Sequence, residues 1–295
     1  MPYGYPSGDG LVSRILDTSS DQDHRDLNLA LNIPTPLLQE FRLKLTKSKA
    51  ASIDEFLGGT PDTRYQEIGK KLIARALTEC ESESRLFKRD NDDDWYSLLL
   101  RAIAPSAEHV AQNNLTFVTF NYDRSLEHFL FTALQNRYDW APEQVAEALS
   151  GINIIHVHGC LSRLSWQEGG INEFPYTPEV TADRIRLAAQ GIQIIHEASG
   201  STPTFVKAAN AISSAKYVFF LGFGYHRLNI ERLGFNKFKE GEKAVMGSSY
   251  GMTSHEIVRL RQKYPALYFG EEHMEHHKTC ATLRRSPGWL HASDE

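Results

Sequence analysis

Apolar positions recur along this chain with two different periods, and the change of period divides it. From residue 111 onward, short β-branched or aromatic runs alternate with helical stretches. Residues 115–120 (LTFVTF), 152–157 (INIIHV), 192–196 (IQIIH) and 217–221 (YVFFL) read as strands, with weaker candidates at 243–246 and 266–269. Most are near-continuous apolar runs, the pattern of strands covered on both faces in a parallel sheet. Between them, residues 123–134 set Leu126, Phe129, Leu130 and Leu134 at helical spacing. Residues 204–213 start a helix after Pro203, and 253–263 follow a Thr253/Glu256 capping box. Strand, helix, strand in alternation predicts an open α/β fold.

The first third differs. Residues 7–110 show helical periodicity and almost no strand, with helices expected near 9–16, 36–45, 52–57, 63–77 and 94–104. Polar stretches at 19–26 and 79–94 separate them, and 175–178 and 199–203 read as loops. This predicts a single domain over 1–295, with 19–110 as a helical insertion and 111–285 as the main part of the α/β core. An α/β nucleotide fold ordinarily opens on a strand and a Gly-rich turn. Here the chain runs from Met1 through Gly4, Pro6, Gly8 and Gly10 straight into a helix.

Composition narrows the class. Of the 295 residues 41% are apolar and 23% charged, and the formal net charge is −5. That charge speaks against a general nucleic-acid binder, whose non-specific affinity rests on basic excess. No apolar stretch approaches the ~18 residues that suggest a membrane span, and the first residues carry no secretory pattern. Cys80, Cys160 and Cys280 are far apart and form no CxxC pair, so neither a zinc ribbon nor a disulfide scaffold is expected. A reducing cytoplasm fits this cysteine usage.

Three places carry candidate chemistry. The first is Thr119-Phe120-Asn121-Tyr122-Asp123, after a strand and before a helix, where open parallel sheets bind ligands. Asn121 would stand at that edge with both donors and an acceptor, while Asp123 could cap the helix. The plain alternative is a turn followed by an N-cap. The second is His156-Val157-His158-Gly159. Alternation puts the two histidines on one side, His158 can act as a general base, and the bare Gly159 would admit a ligand. The alternative is a strand-end histidine with a satisfied hydrogen bond. The third is Leu221-Gly222-Phe223-Gly224-Tyr225, whose backbone N–H groups could meet an anion; by itself it reads as a strand-to-helix turn. The cluster His273, His276 and His277 reads as a solvated helix face before it reads as a metal site. No GxSxG elbow or GxxxxGK[ST] loop is present.

The order of these three places resembles the sirtuin-like family. Thr119–Asp123 is similar to its T-x-N-x-D, His158-Gly159 to its His-Gly, and 220–225 to its late Gly-containing strand end. The segments SIDEFL (52–57) and IIHE (194–197) resemble the bacterial branch in particular. The resemblance implies a Rossmann-like, mainly parallel sheet with helices on both faces. It implies NAD+ as substrate, bound by Thr119, Asn121, Asp123, Gly159, Gly222, Gly224 and Tyr225, with Asn121 and His158 catalytic. Sirtuin deacylases carry two Cys pairs for zinc; this chain has none, so no metal is expected. The resemblance therefore points to the zinc-free branch, several members of which hydrolyse NAD+ to nicotinamide and ADP-ribose in antiviral defence. Gly4-Tyr5-Pro6 resembles the Gly-x-Pro that follows the family's Gly-Ala-Gly-x-Ser, so the first strand and the phosphate loop are expected to be missing. A non-catalytic NAD or ADP-ribose sensor, or a degenerate remnant, is the alternative, and protein deacylation comes behind both. Self-association and a defence-system partner protein are left open; nucleic acid and membrane are not expected as partners.

Overall fold

The computed structural model describes residues 2–89, 93–167, 173–194, 202–239, 241, 243–268 and 279–284. The chain runs through α1 (Gly8–Leu16), α2 (Arg25–Ala30), α3 (Thr35–Ser48), α4 (Ile53–Gly59), α5 (Thr63–Thr78), α6 (Glu83–Leu86), α7 (Trp95–Ile103) and α8 (Ala107–Val110) before its first strand, β1 (Thr116–Thr119). Next come α9 (Ser125–Tyr138), α10 (Pro142–Leu149), β2 (Asn153–His156), α11 (Ala182–Gly191) and α12 (Pro203–Ser214). The last elements are β3 (Tyr217–Phe220), α13 (Arg227–Arg232), β4 (Ala244–Gly247), α14 (Ser254–Lys263) and α15 (Thr279–Arg284). The fold is mixed α/β, and the described residues before β1 hold helices and turns but no strand.

Local chemistry sets most helix starts. Ser52 accepts from Glu55 N at 3.1 Å ahead of α4, and Asp94 accepts from Ser97 N at 3.1 Å ahead of α7. Pro203 occupies the first position of α12 behind the Thr202 cap, where its missing N–H costs nothing. The Thr253/Glu256 capping box forms as expected at α14.

The strands form two parallel ladders, β1 with β2 and β3 with β4. Each pair is joined through helix, as parallel strands require. Their coverage is more one-sided than the apolar runs predict. In β3, Val218 and Phe220 are buried while Tyr217 and Phe219 are half-buried, and Thr116 of β1 is exposed. The expected strand at 192–196 is corrected as far as it is described. Ile192 makes one antiparallel bridge to Gly159, and Gln193 and Ile194 are not strand. Residues 195 and 196, and the expected loop residues 199–201, lie outside the described residues. At 266–269, Tyr268 makes a single parallel bridge to Met246.

Contacts divide the chain into two compact units. The first comprises 1–90, 119–146 and 156–200; the second comprises 91–118, 147–155 and 201–295. In the first unit α5 is central, packing against α11, α1 and α4. Its Tyr65, Ile68, Leu72 and Ile73 are buried. Gly69 is bare because a Cβ there would lie 2.5 Å from the Leu57 side chain of α4. A charged knot sits in the same unit. Glu81 is 0% exposed and Arg124 1%. Arg124 donates to Glu81 through Nε (2.7 Å) and Nη2 (2.8 Å), and Arg184 through Nη2 (2.6 Å). The Phe174 ring lies 4.2 and 4.4 Å from the two guanidiniums. In the second unit, α7 packs on α15, and Phe220 gathers Phe223, Tyr225 and Phe235 around the end of β3. No helix among the described residues is long and apolar enough to cross a membrane.

Candidate active site

The loop after β1 is clamped at both ends by its own side chains. Thr119 Oγ1 accepts from Asn121 N at 3.1 Å, ending the strand. Asp123 Oδ1 accepts from Ser125 N at 3.1 Å and from the Ser125 hydroxyl, starting α9. Small polar side chains compete for the backbone in this way where regular structure stops. Asp123 thus acts as a start signal one residue before the N-cap Arg124, and burial raises its carboxyl. Asn121, between the clamps, is exposed.

A second clamp holds Asn121 through its carbonyl. His156 Nδ1 donates to Asn121 O at 2.8 Å, and His156 Nε2 donates to Glu127 Oε1 at 2.6 Å. Burial opposes the imidazolium. The Glu127 carboxylate, the hydrogen bond to it and the Asn121 carbonyl overcome that and raise the imidazole to about 9. At neutral pH His156 is therefore a cation that donates from both nitrogens.

His158 stands apart from His156. The strand ends at His156, and residue 158 lies in a turn, so alternation no longer relates the two side chains. The His158 ring is 5.6 Å from that of Phe120 and 6.0 Å from that of Tyr122. Its Nδ1 lies 3.8 Å from Asp54 Oδ1, and the same oxygen accepts the Tyr122 hydroxyl. His158 is 8% exposed. Burial, then the Asp54 charge, hold the Tyr122 phenol well above its usual range, so it stays a neutral donor. Backbone bonds complete the frame: Val157 N donates to Thr119 O (3.0 Å), and Leu161 N to Tyr122 O (3.0 Å).

Gly159 is bare for a reason internal to the fold. Its φ is +77°, and a Cβ there would lie 2.0 Å from Gly191 O. The room expected for a ligand on that side is filled by the carbonyl of α11's last residue. Cys160 is no activated nucleophile, because burial and then the Glu127 charge push its thiol up to about 11.

The Gly222–Tyr225 turn belongs to the second unit. Gly222 has φ +64° and gives its N–H to Ser248 Oγ at 2.8 Å, so that donor is already engaged. Tyr225 has φ +51°, is buried, and donates its hydroxyl to Ser248 O at 2.9 Å. Both hold the turn onto the residues after β4. Among the described residues, a Cβ at Gly224 would meet nothing within 4 Å, so here the turn presents open backbone.

The structure thus brings Thr119, Asn121, Asp123 and His158 to one loop cluster, adds Asp54 and Glu127, to which sequence reasoning gave no role, and gives His156, read there as half of a histidine pair, the role of holding Asn121. Glu127 had a visible signal, an acid among Leu126, Phe129 and Leu130 on the apolar face of α9. Asp54 lies within the SIDEFL segment, but its partners are distant in sequence. A cleft of about 620 Å³ opens elsewhere in the first unit, between α9 and the segments 82–84, 164–166 and 175–178. The stacked pairs His128/Tyr176 (4.2 Å) and Phe131/Trp166 (5.0 Å) form its walls. None of Asn121, Asp123, His156 and His158 lines it. Among the described residues no group of three or more His, Cys, Asp or Glu could hold a metal ion; His273, His276 and His277 lie outside them. Comparison with family models, with curated proteins and with solved structures returned no match.

Proposed function

We propose that this chain is a sirtuin-like, Rossmann-type enzyme that hydrolyses NAD+ to nicotinamide and ADP-ribose. The observation that carries the reading is the pairing of an exposed Asn121, pinned by its carbonyl to His156, with the sheltered imidazole of His158 beside the same loop. Cleavage of the nicotinamide–ribose bond needs little covalent help, because the leaving group is a pyridinium. Positioning and electrostatics supply most of the rate. In this scheme the Asn121 amide orients the ribose and a water. The C–N bond breaks and its electron pair returns to the nicotinamide ring. The water oxygen bonds the anomeric carbon, and His158 accepts its proton before releasing it to solvent. Asp123 and His156 hold the Asn121 loop. Antiviral NAD+ depletion is the use that the resemblance suggests.

The test is nicotinamide release from NAD+ by the purified chain. His158→Ala and Asn121→Ala should each lower turnover by ~10²-fold or more, the range of general acid–base groups. Folded variants that keep the wild-type rate would refute the assignment, and so would a wild-type chain that releases no nicotinamide.

A further inference from the structure

Asp54 comes from α4, in the all-helical part of the chain ahead of β1, yet its carboxylate meets both candidate catalytic elements. One oxygen accepts the hydroxyl of Tyr122, the residue next to Asn121, and lies 3.8 Å from Nδ1 of His158. Helix stability does not account for this arrangement. The N-cap is already supplied by Ser52, and Glu55 returns a carboxylate oxygen to Ala51 N at 2.5 Å. An acid in the first turn favours the positive end of a helix dipole wherever it points. Asp54 points at a histidine and a phenol.

We propose that Asp54 is a positioning residue that orients His158 and favours its protonated form, while holding Tyr122 and hence the Asn121 loop in place. The proposal rests on the NAD+-hydrolase reading for its catalytic meaning, but the Asp54–His158 coupling stands on geometry. At 3.8 Å a carboxylate attracts an imidazolium, and the ring presents its Nδ1 edge to Asp54. The groups facing His158 include Asp54 from α4 and the Tyr122 phenol from the loop after β1, with the Phe120 ring beside them. Since the phenol stays neutral, Asp54 is the charge of this pair that acts on the histidine.

The experiment pairs kinetics with a readout independent of turnover. Wild type, Asp54→Asn, Asp54→Glu and Tyr122→Phe are compared for nicotinamide release from pH 5 to 9. In parallel, the His158 imidazole is titrated by 15N NMR, assigned by its absence in His158→Gln. Asp54→Asn should lower the His158 pKa by about one unit, move the acid limb of the rate profile by the same amount, and reduce kcat about tenfold or more with KM little changed. Asp54→Glu should restore the pKa in large part. Tyr122→Phe, which keeps the charge, should leave the His158 pKa in place. A His158 titration identical in wild type and Asp54→Asn overturns the proposal whether or not the chain turns over NAD+. An altered titration in a chain that releases no nicotinamide upholds the coupling and removes the hydrolase reading instead.

Discussion

Raising the pH from 6 to 9.5 should destabilise this protein, with His156 as the main contributor. His156 is raised from 6.5 to about 9 in the folded state. A histidine whose folded pKa lies above its unfolded value contributes fully below the unfolded pKa, and the contribution is lost as pH rises through the folded one. The window is therefore 6.5 to about 9. At about 1.4 kcal/mol per unit, the loss comes to roughly 3 kcal/mol. Little discount for solvent applies, because the His156 side chain is 9% exposed and that of Glu127 4%. His128, Cys80 and Cys160 act outside the window. Burial pushes His128 below 6.5, so it acts on the acid side. Burial lifts Cys80 above 9.0 and Cys160 from 9.0 to about 11, so both act on the alkaline side. Urea denaturation at half-unit pH steps measures the effect. Wild type should lose roughly 3 kcal/mol across the window, and His156→Gln or Glu127→Gln should lose most of that slope while being less stable at pH 6.5. A wild-type curve that is level from 6.5 to 9, or a slope that survives undiminished in His156→Gln, would refute the reasoning. The same deprotonation removes one of the two donors of His156. The nitrogen that keeps its proton should stay with Glu127, so the grip on Asn121 O should loosen in step with the stability.

Other outcomes follow from packing. Glu81→Gln should cost roughly 3–5 kcal/mol in denaturant midpoint experiments, because it leaves two buried guanidiniums without their shared counter-charge; a loss under 1 kcal/mol would show that the backbone carbonyls around them suffice. Gly159→Ala should destabilise by more than about 2 kcal/mol, since left-handed backbone alone costs an L-residue ~1–2 kcal/mol and the new Cβ would meet Gly191 O. Gly224→Ala, with nothing among the described residues within 4 Å of its Cβ, should be close to neutral in thermal melts. Equal melting temperatures for the two variants would contradict this account of Gly159.

The parts legible in the sequence are those decided locally. Strands β1, β2 and β3 were readable as β-branched and aromatic runs and β4 as a weaker candidate, while α4 and α7 were readable from helical periodicity and α14 from the Thr253/Glu256 box, whose hydrogen bonds span only a few residues. The Thr119–Asp123 turn was readable for the same reason. What stayed hidden depends on distant partners. Asp54 meets Tyr122 across 68 positions, and Glu81 meets Arg184 across 103; no periodicity encodes such pairs. Residues 192–194 misled because an apolar run reports burial rather than ladder pairing. Ile192 is fully buried, yet it bridges only to Gly159. His156 and His158 were set on one face by an alternation that stops when the strand does.

The knot around Glu81 also bears on how the first unit can come apart. Arg124 reaches the carbonyls of Arg163, Phe174 and Pro175, and Arg184 those of Pro175 and Glu179. Peeling any one of these stretches outward would leave a buried guanidinium short of one or more acceptors. Local fraying is thus closed off as a cheap fluctuation. The segments that bear Phe174 and Pro175 are bound to open together with α9 and α11 or not at all, so loop-like backbone here shares the cooperativity of the helices.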